Sequence, residues 1–286
     1  MTQKPTRPIM RYHGGKWRLA PWIISHFPQH RVYVEAFGGS GSLLLRKPRS
    51  YAEVYNDLDG EIVNVFRVLR DRESAEELVR LLTLTPFSRS EFLLSYEPAD
   101  DPIERARRTL VRSRLGFSSD SATRGSYTGF RGVCIKTERF CANEWYSFPE
   151  TLHAVVDRLK NVTIEETTAI DVIRRYDTQE TLFYLDPPYV LSTRSESARK
   201  RYRHEMTDDE HAKLLEIIDT IEGMAVISAF RNEIYDSKLA SGWMRIDRES
   251  AGQQGLGGSK MNIESLYFTP GTYERTTLKL ELGGVV

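Results

Sequence analysis

Residues 186 to 189 read Asp-Pro-Pro-Tyr and follow directly on the apolar run TLFYL at 181 to 185. A buried strand that ends there delivers an acid, two prolines and an aromatic ring to one turn. These groups suit an exocyclic amine on a planar base. Such an amine is a poor nucleophile, because its lone pair is delocalised into the ring. Two acceptors, the Asp186 carboxylate and the Pro187 carbonyl, can bind its two N–H groups, favour a more tetrahedral nitrogen and aim the lone pair at an electrophile. Pro187 and Pro188 have a fixed φ and no N–H, so the turn is stiff and its carbonyls keep one direction. Tyr189 can stack on the ring, a contact of roughly 1–3 kcal/mol in nucleic-acid sites. The alternative is a strand followed by a proline turn with a surface acid, and four residues alone do not decide between the two.

The elements that would carry this turn alternate between strands and helices. VYVEAF at 32 to 37 is a short apolar run ending in the glycine-rich FGGSGS, with SLLLRK as a helix start behind it. AEVYND at 52 to 57 reads as a second strand. Ile62, Val65, Phe66 and Leu69 then fall at helical spacing, the signature of an amphipathic helix packed on a sheet. Strand, glycine turn, helix and strand ending in an acid open a doubly wound α/β fold. Glycines after a strand let the backbone approach a nucleotide-like ligand. Asp57, about 20 residues further on, is placed to bind ribose hydroxyls. A helix N-cap is the competing role for Asp57.

From about residue 71 to 150 the rhythm changes. SAEELVRLL, SEFLLSY and IERARRTLVRSRL repeat apolar residues at helical spacing. GFSSDSATRGSYTGFRG then reads as a long exposed loop with Phe117, Tyr127 and Phe130 interleaved, a length that marks functional or disordered segments. Leu152, Val155, Val156 and Leu159 begin another helix, after which VTIEE and TLFYL restore the α/β pattern. Thr207 and Glu210 form a capping-box pattern ahead of a further helix. AVISAF at 225 to 230, NIESLYF and TLKLEL read as strands, and SAGQQGLGGSK at 250 to 260 as a flexible loop.

Forty basic residues balance forty acidic ones among 286, so the net charge is zero and only its distribution informs. Arg105, Arg108 and Arg112 share a helix face. Arg194, Arg199, Lys200, Arg201 and Arg203 follow the proline turn, and residues 1 to 34 carry six basic side chains before the first acid. Any one cluster reads as a solvated face. Three flanking one site suit a phosphate track. The 28% charged fraction and the absence of long apolar runs argue against a membrane span. No secretory leader is visible. Cys134 and Cys141 lack metal-site spacing and read as thiols in a reducing compartment. A cytoplasmic protein, expected to be monomeric, is the resulting expectation.

In order along the chain stand RYHGGK at 11 to 16, YVEAFGGSGSLLL at 33 to 45, VYNDLDGEIVNVF at 54 to 66, FYLDPPYV at 183 to 190 and VIS at 226 to 228. In identity, order and spacing the chain resembles the Dam-type DNA adenine methyltransferases. In these amino-methyltransferases the cofactor motifs precede the target-recognition region and DPPY follows it. The resemblance implies a Rossmann-like S-adenosylmethionine-dependent methyltransferase sheet, built from 1–70 and 161–286, with a mainly helical target-recognition domain inserted at 71–160. It implies S-adenosylmethionine as methyl donor, no metal, and the N6 amine of adenine in double-stranded DNA as acceptor, flipped from the stack and methylated directly. Asp186, Pro187, Pro188 and Tyr189 match the catalytic motif. Tyr12, Gly15, Lys16, Glu35, Phe37, Gly38, Gly39, Gly41, Asp57 and Asp186 fall at cofactor positions, with Glu35 beside the methionine ammonium.

For DNA, the resemblance places a basic contact at Arg11, and the basic insert adds Arg112, Arg114, Arg124 and Arg131. Phe117, Tyr127 and Phe130 are candidate wedges, at least one of them a core residue. Many members of this family recognise GATC, but the insert does not reproduce their recognition loop, so no target sequence transfers. A cognate restriction endonuclease, a regulatory role and a mobile-element role are all compatible with these residues. Two rivals share part of the pattern: a methyltransferase of RNA or of a protein amide, and a non-catalytic DNA-binding relative. The intact Lys16, Asp57 and Asp186 argue against the second.

Overall fold

A computed structural model describes residues 4–123, 127–132, 141–191, 201–251 and 261–276. After α1 (Ala20–Ser25), the chain runs β1 (Val32–Glu35), α2 (Ser42–Arg46), β2 (Ala52–Asn56) and α3 (Gly60–Arg70). A helical stretch follows: α4 (Arg72–Leu84), α5 (Arg89–Leu94), α6 (Pro102–Leu115), α7 (Cys141–Tyr146) and α8 (Leu152–Leu159). Then come β3 (Val162–Glu165), α9 (Ala169–Tyr176), β4 (Thr181–Leu185), α10 (Asp208–Ile218), β5 (Met224–Ala229), α11 (Glu233–Asp236), β6 (Met244–Ala251) and β7 (Met261–Phe268).

The seven strands form one sheet in the order β3-β2-β1-β4-β5-β7-β6. β1 to β5 are mutually parallel, and β7 runs antiparallel between β5 and β6. This is the doubly wound α/β architecture that the strand and helix rhythm predicts, and it is consistent with the Rossmann-like methyltransferase sheet that the resemblance implies. β4 and β5 are buried along their whole length, as central parallel strands must be when helices cover both faces.

Alternation along the strands sorts the side chains into two cores. On one face Tyr33, Tyr55, Leu182, Tyr184, Val226, Leu266 and Phe268 pack with residues of α1, α2 and α3 and with Leu78, Leu82, Leu110, Leu115 and Leu152 of the helical stretch. On the other, Val34, Val54, Phe183, Ala225, Ile227 and Tyr267 pack with α9, α10 and α11. The helices between 72 and 159 therefore share one apolar core with a face of the sheet. A buried ion cluster adds a polar tie: Glu53 on β2 meets Lys47 Nζ at 2.7 Å and Arg158 of α8 at 2.6 Å.

Two segments differ from the sequence reading. β6 covers Met244–Ala251, where no strand is expected. Arg245, Asp247, Arg248 and Glu249 make it rich in charge, a composition suited to an edge strand and invisible to an apolar-run criterion. The segment read as a long exposed loop is partly internal: Asp120, Ser121, Ala122 and Thr123 are buried, and Phe130 forms a bridge with Gly116. Arg201 pairs with Asp120 at 2.9 Å, giving that acid a partner inside the protein. The expected strand TLKLEL, the cysteine at 134 and most of the 250 to 260 loop lie outside the described residues. The Thr207–Glu210 capping box forms as expected and opens α10.

Candidate active site

The same alternation that sorts the cores gathers the acids. Glu35 ends β1 in phase with Tyr33, Asp57 follows β2 in phase with Tyr55, and Asp186 follows β4 in phase with Tyr184. β7 runs the opposite way, so its early residue Glu264 comes to the same edge, in phase with Leu266 and Phe268. Four carboxylates thus project on one face at the carboxyl ends of the parallel strands, where open α/β sheets bind ligands.

A cleft opens there, with about 900 Å³ of empty space when its mouth is included. Of the residues assigned to the cofactor from sequence, Tyr12, Gly15, Lys16, Glu35, Phe37, Gly38, Gly39, Asp57 and Asp186 all line it. Gly41 does not. It holds φ 62° at the start of α2, where a Cβ would lie 2.9 Å from the Phe66 ring, so its role is to turn the chain into the helix.

Asp57 and Asp59 resolve the capping question. Asp59 caps α3 by accepting from the Glu61 N–H at 3.1 Å. Asp57 instead accepts from the Gly39 N–H at 2.7 Å and the Asp59 N–H at 2.8 Å, which locks the glycine turn to the end of β2. A carboxylate has about four lone-pair sites. The Gly39, Asp59 and Leu58 N–H groups engage at most three of them, so Asp57 keeps acceptor capacity at the cleft wall. Burial pushes its carboxyl up to about 6, against the pull of those N–H groups.

Gly38 is required sterically, since a Cβ there would stand 2.2 Å from the Tyr55 ring. Tyr55 stacks on Phe66 at 4.0 Å and donates to the Gly39 carbonyl at 2.7 Å, so the ring cannot yield without moving the turn.

Glu35 is almost fully buried. Its Oε2 accepts from the Tyr33 hydroxyl at 3.0 Å and the Leu44 N–H at 2.8 Å. Burial outweighs both bonds and pushes it up to about 8.

Lys16 is the hub of the opposite wall. Its Nζ donates to Asp186 Oδ1 at 2.9 Å and to the Gly14 carbonyl at 3.0 Å, and lies 3.5 Å from Glu264 Oε1. The two carboxylates hold the Lys16 ammonium above its ordinary value although burial opposes the charge. Burial and the neighbouring Glu264 push Asp186 up to about 6, with Lys16 pulling it back. Pro188 lines the cleft. The Tyr189 ring packs 4.4 Å from Phe230, lies 4.9 Å from Lys16 Nζ, and donates its hydroxyl hydrogen to Glu264.

Sequence reasoning missed Glu264 and Asp59. Glu264 shares a register of the strand NIESLYF with Leu266 and Phe268, which becomes a signal only once the strand order is known. Sequence reasoning also gave no place to Tyr202, whose hydroxyl bonds the His13 carbonyl at 3.1 Å, while Arg203, read as part of a basic cluster suited to phosphates, meets Asp59 at 2.5 Å; both line the cleft.

The basic residues assigned to DNA are held by intramolecular partners. Arg11 donates to the Gly116 carbonyl at 2.9 Å and the Phe117 carbonyl at 3.4 Å. Arg112 reaches Thr109 at 3.1 Å and lies 3.8 Å from Glu61. Arg114 donates to the Pro8 carbonyl and lies 4.1 Å over the Phe148 ring, where burial lowers its pKa. Arg131 pairs with Glu144 at 3.1 Å. Arg124 lies outside the described residues. Of the aromatics, Phe117 is 73% and Tyr127 53% exposed, while Phe130 packs against Phe87 and Phe92. Among the described residues no group of three or more His, Cys, Asp or Glu is arranged to hold a metal ion, and no helix is long and apolar enough to cross a membrane.

Comparison with known proteins gives a consistent picture. The family model of the D12 class N6 adenine-specific DNA methyltransferases matches residues 12–248. The DNA adenine methylase of Escherichia coli (strain K12) is 23% identical over 252 residues, covering 84% of each chain. Type II methyltransferase M1.LlaDCHI of Lactococcus lactis subsp. cremoris is 25% identical over 243 residues, covering 79% of this chain and 81% of that one. The DNA adenine methylase of Vibrio cholerae serotype O1 (strain ATCC 39541) is 22% identical over 287 residues, covering 93% of this chain and 98% of that one.

Proposed function

Since the chain belongs to the D12 class N6 adenine-specific DNA methyltransferases, we propose that the cleft between Tyr12 and Asp186 binds the methyl donor and that the Asp186–Tyr189 turn presents adenine N6 to it. The methyl donor is S-adenosylmethionine, which supplies an electrophilic methyl on a cationic sulfur and leaves as S-adenosylhomocysteine. The donor set fits this molecule: Asp57 offers acceptors for ribose hydroxyls, Glu35 a buried carboxylate for an ammonium, and Phe37 and Leu58 apolar surface for a purine.

The observation that carries the reading is the geometry at Asp186. Its Oδ1 is engaged by Lys16 at 2.9 Å, and the side chain is 18% exposed. The carboxylate therefore retains acceptor capacity on the cleft side for an N6–H. Together with the Pro187 carbonyl it aligns the amine, and alignment with preorganised acceptors is the main catalytic contribution available to a reaction whose electrophile is already activated. The target amine is unreachable in a stacked duplex, so the adenine flips out and stacks on Tyr189. Residues 71–160 form the target-recognition region in this reading. Exposed Phe117 and Tyr127 are its candidate wedges, and Arg11, Arg112, Arg114, Arg124 and Arg131 its basic contacts, for which the described arginines would exchange internal partners for phosphates or a guanine edge.

The test is tritiated-methyl transfer from S-adenosylmethionine to unmethylated genomic DNA. Asp186→Ala is expected to abolish N6-methyladenine while leaving much of the donor affinity. Wild-type methylation by that variant overturns the assignment of the site.

A further inference from the structure

We propose that Glu264, on the antiparallel strand β7, is a positioning residue of the methyl-transfer site: it fixes the Tyr189 ring by its hydroxyl and draws Lys16 partly away from Asp186. This rests on the assignment of the Asp186–Tyr189 turn to adenine.

Glu264 is 5% exposed, in a strand whose next four residues are all buried. A carboxylate in such a place needs converging donors. Three converge on a single oxygen, Oε1: the Tyr189 hydroxyl, the Ser228 hydroxyl at 2.9 Å and Lys16 Nζ at 3.5 Å. Tyr189 and Lys16 both belong to the site, and Ser228 lies on β5 beside it. A carboxylate serving only the sheet would have no reason to join these two side chains.

Two consequences follow from the geometry. The first concerns Tyr189. Phe230 packs on its ring at 4.4 Å, and the bond to Glu264 holds its far end, so the two torsions of the side chain are fixed before any base arrives. A stacked base then meets a platform whose angle to Asp186 is already set. The second concerns charge. One ammonium lies between two carboxylates, so Lys16 is shared. Without Glu264, Lys16 pairs with Asp186 alone and competes more strongly with the amine for its lone pairs.

The experiment measures single-turnover rate, donor affinity and thermal unfolding of the full-length protein for Glu264→Ala, Glu264→Gln, Tyr189→Phe and Asp186→Ala. Misplacing the base platform slows the chemical step by roughly 10- to 100-fold. Glu264→Ala and Tyr189→Phe are expected to show that loss at near-normal affinity for S-adenosylhomocysteine. Their double variant is expected to be no slower than Glu264→Ala, because both remove one contact. Glu264→Gln, which keeps an acceptor for the tyrosine but not the charge, is expected to recover part of the rate. Should Glu264→Ala fail to fold, Tyr189→Phe and Glu264→Gln carry the same test. Wild-type rates in Tyr189→Phe and Glu264→Gln, with Asp186→Ala inactive, overturn the positioning role and leave the site intact. An active Asp186→Ala overturns the site itself.

Discussion

Asp57 and Asp59 stand two positions apart after β2 and face different partners. Both line the cleft, but Asp59 caps α3 and pairs with Arg203, whereas Asp57 binds the glycine turn. Single substitutions should separate them. Asp59→Ala removes an N-cap and is expected to lower the unfolding free energy by about 1 kcal/mol in urea titrations. Asp57→Ala removes a charged acceptor from the proposed donor site, a loss of about 1.5–3 kcal/mol, which is roughly a 10- to 150-fold weaker affinity for S-adenosylhomocysteine by calorimetry. The opposite ranking of the two affinities would reverse the roles. Sequence alone left both roles open for Asp57, because a cap and a ligand-binding acid look alike in the string NDLDG. Only the backbone path decides which acid the helix takes.

At the scale of elements, the helical stretch is joined to the sheet through both apolar packing and the Lys47–Glu53–Arg158 cluster. Burial alone would raise the Glu53 pKa, yet Arg158 and Lys47 hold it below its ordinary value. Glu53→Ala leaves two largely buried cations without their acid, a change expected to destabilise the fold by about 3–5 kcal/mol. Thermal unfolding should show the drop, while the rate per folded molecule at low temperature stays near wild type, since none of the three residues lines the cleft. The strands that build the site were legible because they are short apolar runs ending in glycine or acid: VYVE, AEVYN and TLFYL. β6 was not, because an edge strand rich in charge has no apolar run. Glu264 was hidden for a related reason. Its partners Lys16, Tyr189 and Ser228 are 248, 75 and 36 positions away, and nothing local in NIESLYF marks an acid as inward-facing until strand order is known. The arginines assigned to DNA were visible as charge. Glu61, Glu144, Pro8 and Gly116, which hold Arg112, Arg131, Arg114 and Arg11, are distant along the chain, and a charge count cannot see such pairings.

For the whole molecule, the convergence of Glu35, Asp57, Asp186 and Glu264 at one edge of the sheet has a thermodynamic consequence. Three of these acids are raised mainly by burial: Glu35 to about 8, and Asp57 and Asp186 to about 6. In the unfolded chain all three titrate near 4. Between about pH 4 and pH 8 the folded protein therefore holds more protons than the unfolded chain, and stability falls as pH rises. The contribution is fully present below the unfolded pKa values and is lost as pH passes through about 6 for the two aspartates and about 8 for Glu35. Acids held low by partners, such as Glu53 and Glu104, act oppositely and lose their contribution only at lower pH, through protonation. Urea midpoints of the donor-free protein are thus expected to decline from about pH 5 to pH 8.5, with the limb above pH 6.5 due mainly to Glu35. Glu35→Gln should flatten that upper limb and make the lower one shallower by the single proton Glu35 contributes there, leaving the part due to Asp57 and Asp186. A ligand that brings an ammonium beside Glu35 favours its ionised form, so binding should release protons and tighten as pH rises towards 8. Calorimetry with S-adenosylhomocysteine in buffers of different ionisation enthalpy measures that release directly. No proton release near pH 7, or an unchanged release in Glu35→Gln, would remove Glu35 from the donor's ammonium pocket.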